Sequence, residues 1–456
     1  MIRSVLEDKN SHIHFIGIGG VSMSSLAKLL LADGHKISGS DIGLSKNVKE
    51  LIDMGAEVSI GHKSENVKNP QMIVYTAAVK KDNPELISGE EKNILTIERC
   101  DLLGEIMRGY NFPINICGTH GKTTTTSMMA SVFLEGNKEP TISIGGDFDK
   151  IGGNLNIGKK DYFICEACEY VESFLKFYPY ASVILNIEED HLDYFKDINH
   201  IKSSFLKFAN LTDKDGFVVL NCEDKECMEI ADDIKVKVYT FGLSGNADCY
   251  AKDIEYIDGK PKFSVYYKDK FMGEIQLGVY GEHNVLNALS VILTALLFNI
   301  DFLSIKKGLE NFNGAKRRFE YKGTFKGAYI YDDYAHHPTE IETTIKSAKK
   351  KEYNNLYIIF QPHTYTRTKA LFDDFVNILK TSDNVIIADI YAAREVNTLN
   401  ISSKDLADKI PNALYLSTFA EIEDYLLNII KPNDLILTVG AGDVYKIGEN
   451  LLNKKI

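Results

Sequence analysis

The chain has 456 residues, more than a single hydrophobic core usually organises, so two to four domains are expected. Its composition, 44% hydrophobic and 25% charged, is that of an ordinary globular protein and excludes a disordered chain. Lys plus Arg number 52 against 64 Asp plus Glu, a net charge of -12, which argues against a nucleic-acid binder needing a basic face for phosphates.

Residues 1–10 lack the apolar run and small-residue cleavage site of a signal peptide, so a cytoplasmic protein is expected. Residues 12–18 read as a strand, Gly17-Ile18-Gly19-Gly20 as a glycine turn, 21–32 as a helix, and 36–40 as a strand ending at Asp41. This is nearly the dinucleotide fingerprint, with Ser22 in place of its third glycine and Asp41 where the ribose-binding acid belongs. Any ribose-diphosphate would suit it. A further strand is expected at 72–76, and Pro113 marks a boundary.

A second strand at 114–117 runs directly into Gly118-Thr119-His120-Gly121-Lys122-Thr123-Thr124, which opens a helix over 125–134. Glycines let such a loop wrap an anion, and the helix N-terminus points N–H groups at it. Lys122 brings a point charge to the β- and γ-phosphates, and Thr123 is placed to hold Mg²⁺. The full P-loop spacing would need a glycine where Ile116 stands, so only the short form GxxGK[ST] is present.

Cys165 and Cys168 form a CxxC pair, but no second one exists. A buried strand over 162–168, its cysteines on opposite faces, is the preferred reading. Seven cysteines in no regular framework fit a reducing compartment. Glu166 and Glu169 end that strand, and Asp190-His191 follow a strand at 182–187. Ligands collect at the carboxyl ends of strands in open α/β sheets, and a carboxylate with an imidazole there would complete a magnesium shell.

Residues 249–277 contain short alternating runs around the hairpin signal Asp258-Gly259-Lys260, an antiparallel insertion. Asn284 and Asn287, three apart, share a helix face and could read an adenine edge. The apolar run 288–298 is too short to span a bilayer. Residues 313–318 mark a second boundary, where Arg317-Arg318 is either a phosphate-neutralising pair or a basic linker. A strand from 328 ends in Asp332-Asp333-Tyr334-Ala335-His336-His337-Pro338, a polar run that is a site candidate by default. Strands are expected at 217–220, 356–360, 385–389 and 435–439, and a helix at 367–379. Strand and helix in alternation argue for parallel sheets covered by helices on both faces.

In this order the motifs resemble the Mur ligase family, above all GTHGKTTTT at 118–126 and DDYAHHPTEI at 332–341, with similarity over nearly the whole chain. The resemblance implies an α/β protein of three domains: a Rossmann-like UDP-sugar-binding domain at 1–112, a central P-loop ATPase domain with the antiparallel insertion at 113–316, and a Rossmann-like amino-acid-binding domain at 317–456. It implies that ATP phosphorylates the lactyl carboxylate of UDP-N-acetylmuramate, and that the amine of L-alanine then displaces phosphate, with Mg²⁺ or Mn²⁺ as the metal. The implied catalytic set is Lys122, Glu166, His191, Arg318 and Asp333. The implied ATP-binding set is Gly118, Thr119, His120, Gly121, Lys122, Thr123, Thr124, Asn284, Asn287, Arg318, Asp333 and His336. Thr123, Glu166 and His191 would hold the metal. Gly19, Gly20, Ser24, Asp41, Thr76, His337 and Arg367 would meet the substrates. No nucleic acid, membrane insertion or obligate protein partner is implied.

Two departures from the family pattern stand out. EADES reads Glu166-Ala167-Cys168-Glu169-Tyr170, so a carboxylate is lost at 168, its role being minor or filled by Glu169. QPHRYTRT reads Gln361-Pro362-His363-Thr364-Tyr365-Thr366-Arg367-Thr368, so Thr364 replaces one of two arginines expected near the amino-acid carboxylate. A murein tripeptide ligase is the nearest alternative. A non-catalytic nucleotide-binding protein and an NAD-dependent oxidoreductase are the others, disfavoured by Lys122, Glu166 and His191 and by Ser22 respectively.

Overall fold

A computed structural model describes residues 1–454 apart from Ala77, Asp193 and Arg394. The chain divides into two compact units. The first comprises Met1–Ala251, Val265–Gly273 and Asn287–Leu309; the second comprises Lys252–Ser264, Glu274–Leu286 and Glu310–Ile456.

The first unit opens with a sheet of five parallel strands, in the order Glu57–Ile60, Lys36–Asp41, His12–Ile16, Met72–Tyr75, Leu95–Glu98. Helices alternate with these strands, Val21–Ala32 and Arg99–Met107 among them. With helices on both faces, the central strands are buried along their length, which is why 12–18 and 72–76 read as apolar runs. Four of the five residues of His12–Ile16 are buried, and one of them, His14, is polar.

The segment from 112 to 242 contributes seven strands to a second sheet, in the order Gly153–Asn156, Thr141–Phe148, Tyr162–Glu166, Phe112–Cys117, Ala181–Ile184, Phe217–Asn221, Lys237–Gly242. All pairings are parallel except the first, an antiparallel hairpin. The strand entering the glycine loop is therefore central. The helix after the loop, Lys122–Glu135, starts three residues before the expected 125, because Gly121 at φ 86 supplies the cap. Residues 123–133 are all buried, four threonines among them. β-branched residues are poor helix formers, but one of these threonines and the serine after them bond back along the helix, Thr126 Oγ1 to Lys122 O and Ser127 Oγ to Thr123 O, both at 2.8 Å. Asn154 Nδ2 donates to Ser25 Oγ at 2.8 Å, one of the bonds by which the first two sheets share a unit.

Beyond Lys237–Gly242 the sheet continues through Cys249–Ile257, Lys260–Tyr267 and Lys270–Gln276. Their two-residue turns, Asp258-Gly259 and Lys268-Asp269, have positive φ throughout, the geometry of type I′ hairpins, as an antiparallel insertion requires.

In the second unit a six-stranded sheet runs Glu320–Phe325, Ala328–Asp333, Leu435–Val439, Leu356–Phe360, Asn384–Ile387, Ala413–Tyr415, parallel apart from the first pair. The helix expected over 367–379 is two, Tyr365–Ala370 and Phe372–Leu379, broken at Leu371. The strands expected at 162–168, 182–187 and 385–389 end early, at Glu166, Ile184 and Ile387. Cys165 is thus a buried strand residue, and Cys168 lies beyond the strand, exposed. Among the described residues no helix is long and apolar enough to cross a membrane.

Candidate active site

The loop 118–121 joins the strand Phe112–Cys117 to the helix Lys122–Glu135, at the carboxyl edge of the second sheet. Two of its residues must be glycine. Gly118 has φ 141, and a Cβ there would come within 3.0 Å of Leu185 Cβ and 3.2 Å of Asn186 N. Gly121 has φ 86, and its Cβ would lie 2.9 Å from Asn287 Oδ1, which places Asn287 against the loop.

Asn186, just past the strand Ala181–Ile184, holds the loop's shape. Its Oδ1 accepts from His120 N at 2.8 Å and its Nδ2 donates to His120 O at 3.1 Å. Thr119 Oγ1 accepts from Glu188 N at 2.9 Å, and His120 Nε2 lies 3.5 Å from Glu188 Oε2.

Lys122 Nζ donates to Gly118 O at 2.5 Å, Thr119 O at 3.0 Å and Glu169 Oε1 at 3.0 Å. Burial works against the ammonium, but the carboxylate of Glu169, seconded by Cys168 and Glu166, outweighs it and holds the lysine above its ordinary pKa. Thr123 Oγ1 donates to Glu166 Oε2 at 3.1 Å, and Glu166 Oε1 accepts from Gly145 N at 2.6 Å. His191, at φ 54, puts Nε2 3.9 Å from Glu169 Oε1 and 3.8 Å from Asp190 Oδ2, with the Tyr170 ring against it at 4.6 Å.

The expected trio of Thr123, Glu166 and His191 therefore stands as two halves. Thr123 is paired with Glu166, and His191 faces Glu169, the residue that also holds Lys122. Glu169 is buried, and its Oε2 has no hydrogen-bond partner. A hydroxyl, two carboxylates and an imidazole, one carboxylate oxygen buried and unpaired, are the donor types a small hard cation takes, although the two halves do not converge on one point. Glu169 is the carboxylate expected from the sequence to take over a role lost at Cys168, whereas nothing in the sequence marks Asn186 as the residue that shapes the loop.

In the first sheet, Asp41 Oδ2 accepts from Gly19 N at 2.8 Å, so the acid and the glycine turn form one piece. Thr76 borders the turn, its Cγ2 3.7 Å from where a Gly17 Cβ would be. Gly20 caps the helix Val21–Ala32. Ser24 does not join them: it is buried and its hydroxyl donates to Val21 O at 2.9 Å.

In the second unit, the carboxyl edge of the sheet gathers Arg318, Asp333, His336, His337, His363 and Arg367. Arg317 Nε is 3.0 Å from Asp332 Oδ2, its Nη2 donates to Gly440 O at 2.6 Å, and its guanidinium lies between the rings of Tyr334 and Tyr445. It belongs to the scaffold. Asp333 accepts from Phe319 N and Ala335 N, both at 2.8 Å. Burial raises its pKa to about 6 against the opposing charge of Arg318. His337 caps the helix Pro338–Lys349 in a capping box with Glu340. His336 Nδ1 is 3.0 Å from Tyr334 O, and its ring is 5.8 Å from that of His363. Arg367 Nη1 is 3.3 Å from His363 Nδ1, whose pKa burial, His336 and Arg367 push down to about 4. The imidazole is neutral and accepts from the guanidinium. Thr364, at φ 64, caps the helix Tyr365–Ala370, its Oγ1 accepting from Arg367 N at 3.4 Å. In the same unit, Asn284 Nδ2 donates to Tyr280 O at 2.7 Å.

Comparison with known proteins agrees with these three sheets. Residues 12–111 match the family described as Mur ligase family, catalytic domain; residues 116–295 match Mur ligase middle domain; residues 317–442 match Mur ligase, glutamate ligase domain. A UDP-N-acetylmuramate--L-alanine ligase of Clostridium novyi is 49% identical over 454 residues, 99% of each chain. The crystal structure of a UDP-N-acetylmuramate-alanine ligase from Thermotoga maritima superposes with a TM-score of 0.82 at 29% identity, over 97% of this chain and 98% of that one. A murein peptide ligase from Psychrobacter arcticus shares the fold, with a TM-score of 0.75 at 23% identity over 98% of this chain and 100% of its own. With its glycine loop, half-buried lysine and carboxylate pair on a chain matched from end to end, the protein belongs to the Mur ligase family.

Proposed function

We propose that this chain joins L-alanine to the lactyl carboxylate of UDP-N-acetylmuramate at the expense of ATP, in the cytoplasm, as a step in building a peptidoglycan precursor. The observation that carries this reading is the 49% identity over 99% of the chain to a ligase of that name. The murein peptide ligase, at 23% identity, supports the fold alone.

Segment 1–112 takes the sugar nucleotide at the glycine turn, with Gly19, Gly20, Asp41 and Thr76. Segment 113–316 takes ATP, with the phosphates on the 118–124 loop and Asn284 and Asn287 serving the nucleotide. Segment 317–456 takes the amino acid, with Arg367 on its carboxylate. Thr123, Glu166, His191 and Glu169 would hold Mg²⁺, or Mn²⁺, which when bound neutralises phosphate charge. A carboxylate oxygen of the sugar attacks the γ-phosphorus and ADP leaves. The alanine nitrogen then attacks the acyl carbon, loses a proton, and the C–O electron pair departs with phosphate. Little covalent chemistry falls to the protein, so charge placement and orientation dominate. Lys122 supplies a fixed positive charge where the transferring phosphoryl group gathers negative charge, and Glu169 keeps that lysine protonated and in place.

The test is ADP release with ATP, Mg²⁺ and UDP-N-acetylmuramate, comparing L-alanine with the recycled tripeptide. Release that needs alanine is expected. Equal rates with the tripeptide refute the alanine assignment.

A further inference from the structure

Outside the glycine loop, one buried charge is bonded on both of its oxygens to several segments of the first sheet: Glu85. It is the second residue of the helix Pro84–Glu91, its N–H donating to Asn83 Oδ1 at 2.9 Å, and its side chain is 0% exposed. Oε2 accepts from Ser40 Oγ at 2.5 Å and lies 3.6 Å from His14 Nε2 and 3.5 Å from His62 Nδ1. Oε1 accepts from Asn66 Nδ2 at 2.5 Å and from Lys63 N at 3.3 Å. Behind His14, Ser38 Oγ stands 2.8 Å from His14 Nδ1 and 2.7 Å from His12 Nε2. Burial raises the carboxyl's pKa, but His14, Ser40 and Asn66 lower it further, leaving it at about 2 and the group ionised at working pH.

An anion this deep contributes little to stability that an apolar residue would not match. What it does uniquely is join separate loops. Ser40, one of its partners, accepts from both Gly17 N (2.8 Å) and Ile18 N (3.0 Å) on its carbonyl, so the glycine turn hangs on Ser40. The next residue, Asp41, takes Gly19 N on its carboxylate and Gly61 N on its carbonyl, at 2.8 Å each. Gly61 O in turn accepts from Asn66 Nδ2, the amide already bound to Glu85. One carboxylate thus sets the mutual position of the glycine turn, Asp41 and the 61–66 loop, which all lie at the carboxyl edge of the first sheet, where ligands bind in such folds. Being wholly buried, it touches no ligand itself.

We propose that Glu85 is a positioning residue for the sugar nucleotide, acting through Ser40 and the 61–66 loop to hold the glycine turn and Asp41 in binding geometry. This rests on the reading that segment 1–112 binds UDP-N-acetylmuramate. The full-length protein and its Glu85→Gln, Ser40→Ala and double variants should be titrated calorimetrically with UDP-N-acetylmuramate and assayed for each KM. Glu85→Gln is expected to weaken sugar-nucleotide binding and raise its KM about tenfold, the scale of one charge-assisted hydrogen bond, with KM for ATP and kcat within a few-fold. Ser40→Ala should act in the same direction, and the double variant should fall short of the product of the singles. A Glu85→Gln protein that only melts earlier, or whose three KM values rise together, overturns the proposal. Should that variant fail to fold, unchanged binding in Ser40→Ala overturns it instead. A parent protein that does not bind UDP-N-acetylmuramate refutes the functional reading, and the inference falls with it.

Discussion

Glu169→Gln separates what the glycine loop is by itself from what it becomes with a phosphate in it. Lys122 Nζ sits 3.0 Å from Glu169 Oε1, with side chains 18% and 4% exposed. At that distance and an effective dielectric of about 20, the attraction is ~5.5 kcal/mol before desolvation. Burying both ions takes back much of it, and glutamine keeps one hydrogen bond, so the net loss should be about 2–4 kcal/mol. The loss should be local. Lys122 opens the helix Lys122–Glu135, and amide hydrogen exchange along that helix is the assay. Without nucleotide, exchange in Glu169→Gln should run roughly 30–1000 times faster than in the parent. ATP brings a replacement anion to the same ammonium, so the gap should narrow at least about tenfold on adding it. Equal exchange in both proteins, or equal protection of both by ATP, would refute the argument that Glu169 stands in for a phosphate in the resting loop.

Arg367→Ala should raise the KM for L-alanine more than about tenfold, with ATP within a few-fold and Arg367→Lys recovering only part; NMR titration should also show the His363 pKa rising from about 4, since Arg367 helps to hold it down. Glu166→Ala should raise the Mg²⁺ needed for half-maximal rate more than His191→Ala does, because it removes an anionic oxygen that also fixes Thr123; identical metal curves would return both residues to scaffold. Asp333 has a folded pKa of about 6 against 3.8. Its stabilising contribution is full below the lower value and is lost as pH rises through the higher, about 3 kcal/mol in all. Asp333→Asn should flatten that part of the pH–stability curve between about pH 4 and 6, and an unchanged slope would refute the shift.

The strands that enter the three sites were legible because both faces of each are covered, which leaves an apolar run with a polar residue at its end. The strands Glu57–Ile60 and Leu95–Glu98 escaped notice, being short, partly exposed and without clean alternation. The helix starts at Lys122, earlier than expected, because four consecutive β-branched threonines argue against a helix, while in the fold Thr126 bonds back to Lys122 O and Thr123 turns its hydroxyl to Glu166. Glu169 was undervalued for a different reason: its meaning lies in Lys122, 47 positions away in the chain, and no local pattern encodes that contact. Thr364 read as a missing arginine, whereas its oxygen caps the helix that carries Arg367. The break at Leu371 has no proline or glycine to announce it.

The pair of hydrogen bonds between Asn186 and the backbone of His120 has a kinetic consequence. A glycine loop is the most mobile kind of backbone, and one that ordered only on contact would charge its entropy to every nucleotide it met. Asn186 grips the N–H and the carbonyl of one residue at once, as a neighbouring strand would, so the cradle keeps its curvature between turnovers. Capture of the phosphates then needs no folding step, and the encounter rate should follow diffusion and charge rather than loop closure. Aspartate in that position would lose the donor and put a negative charge beside the anion's seat, two injuries from the exchange of an amide for a carboxylate.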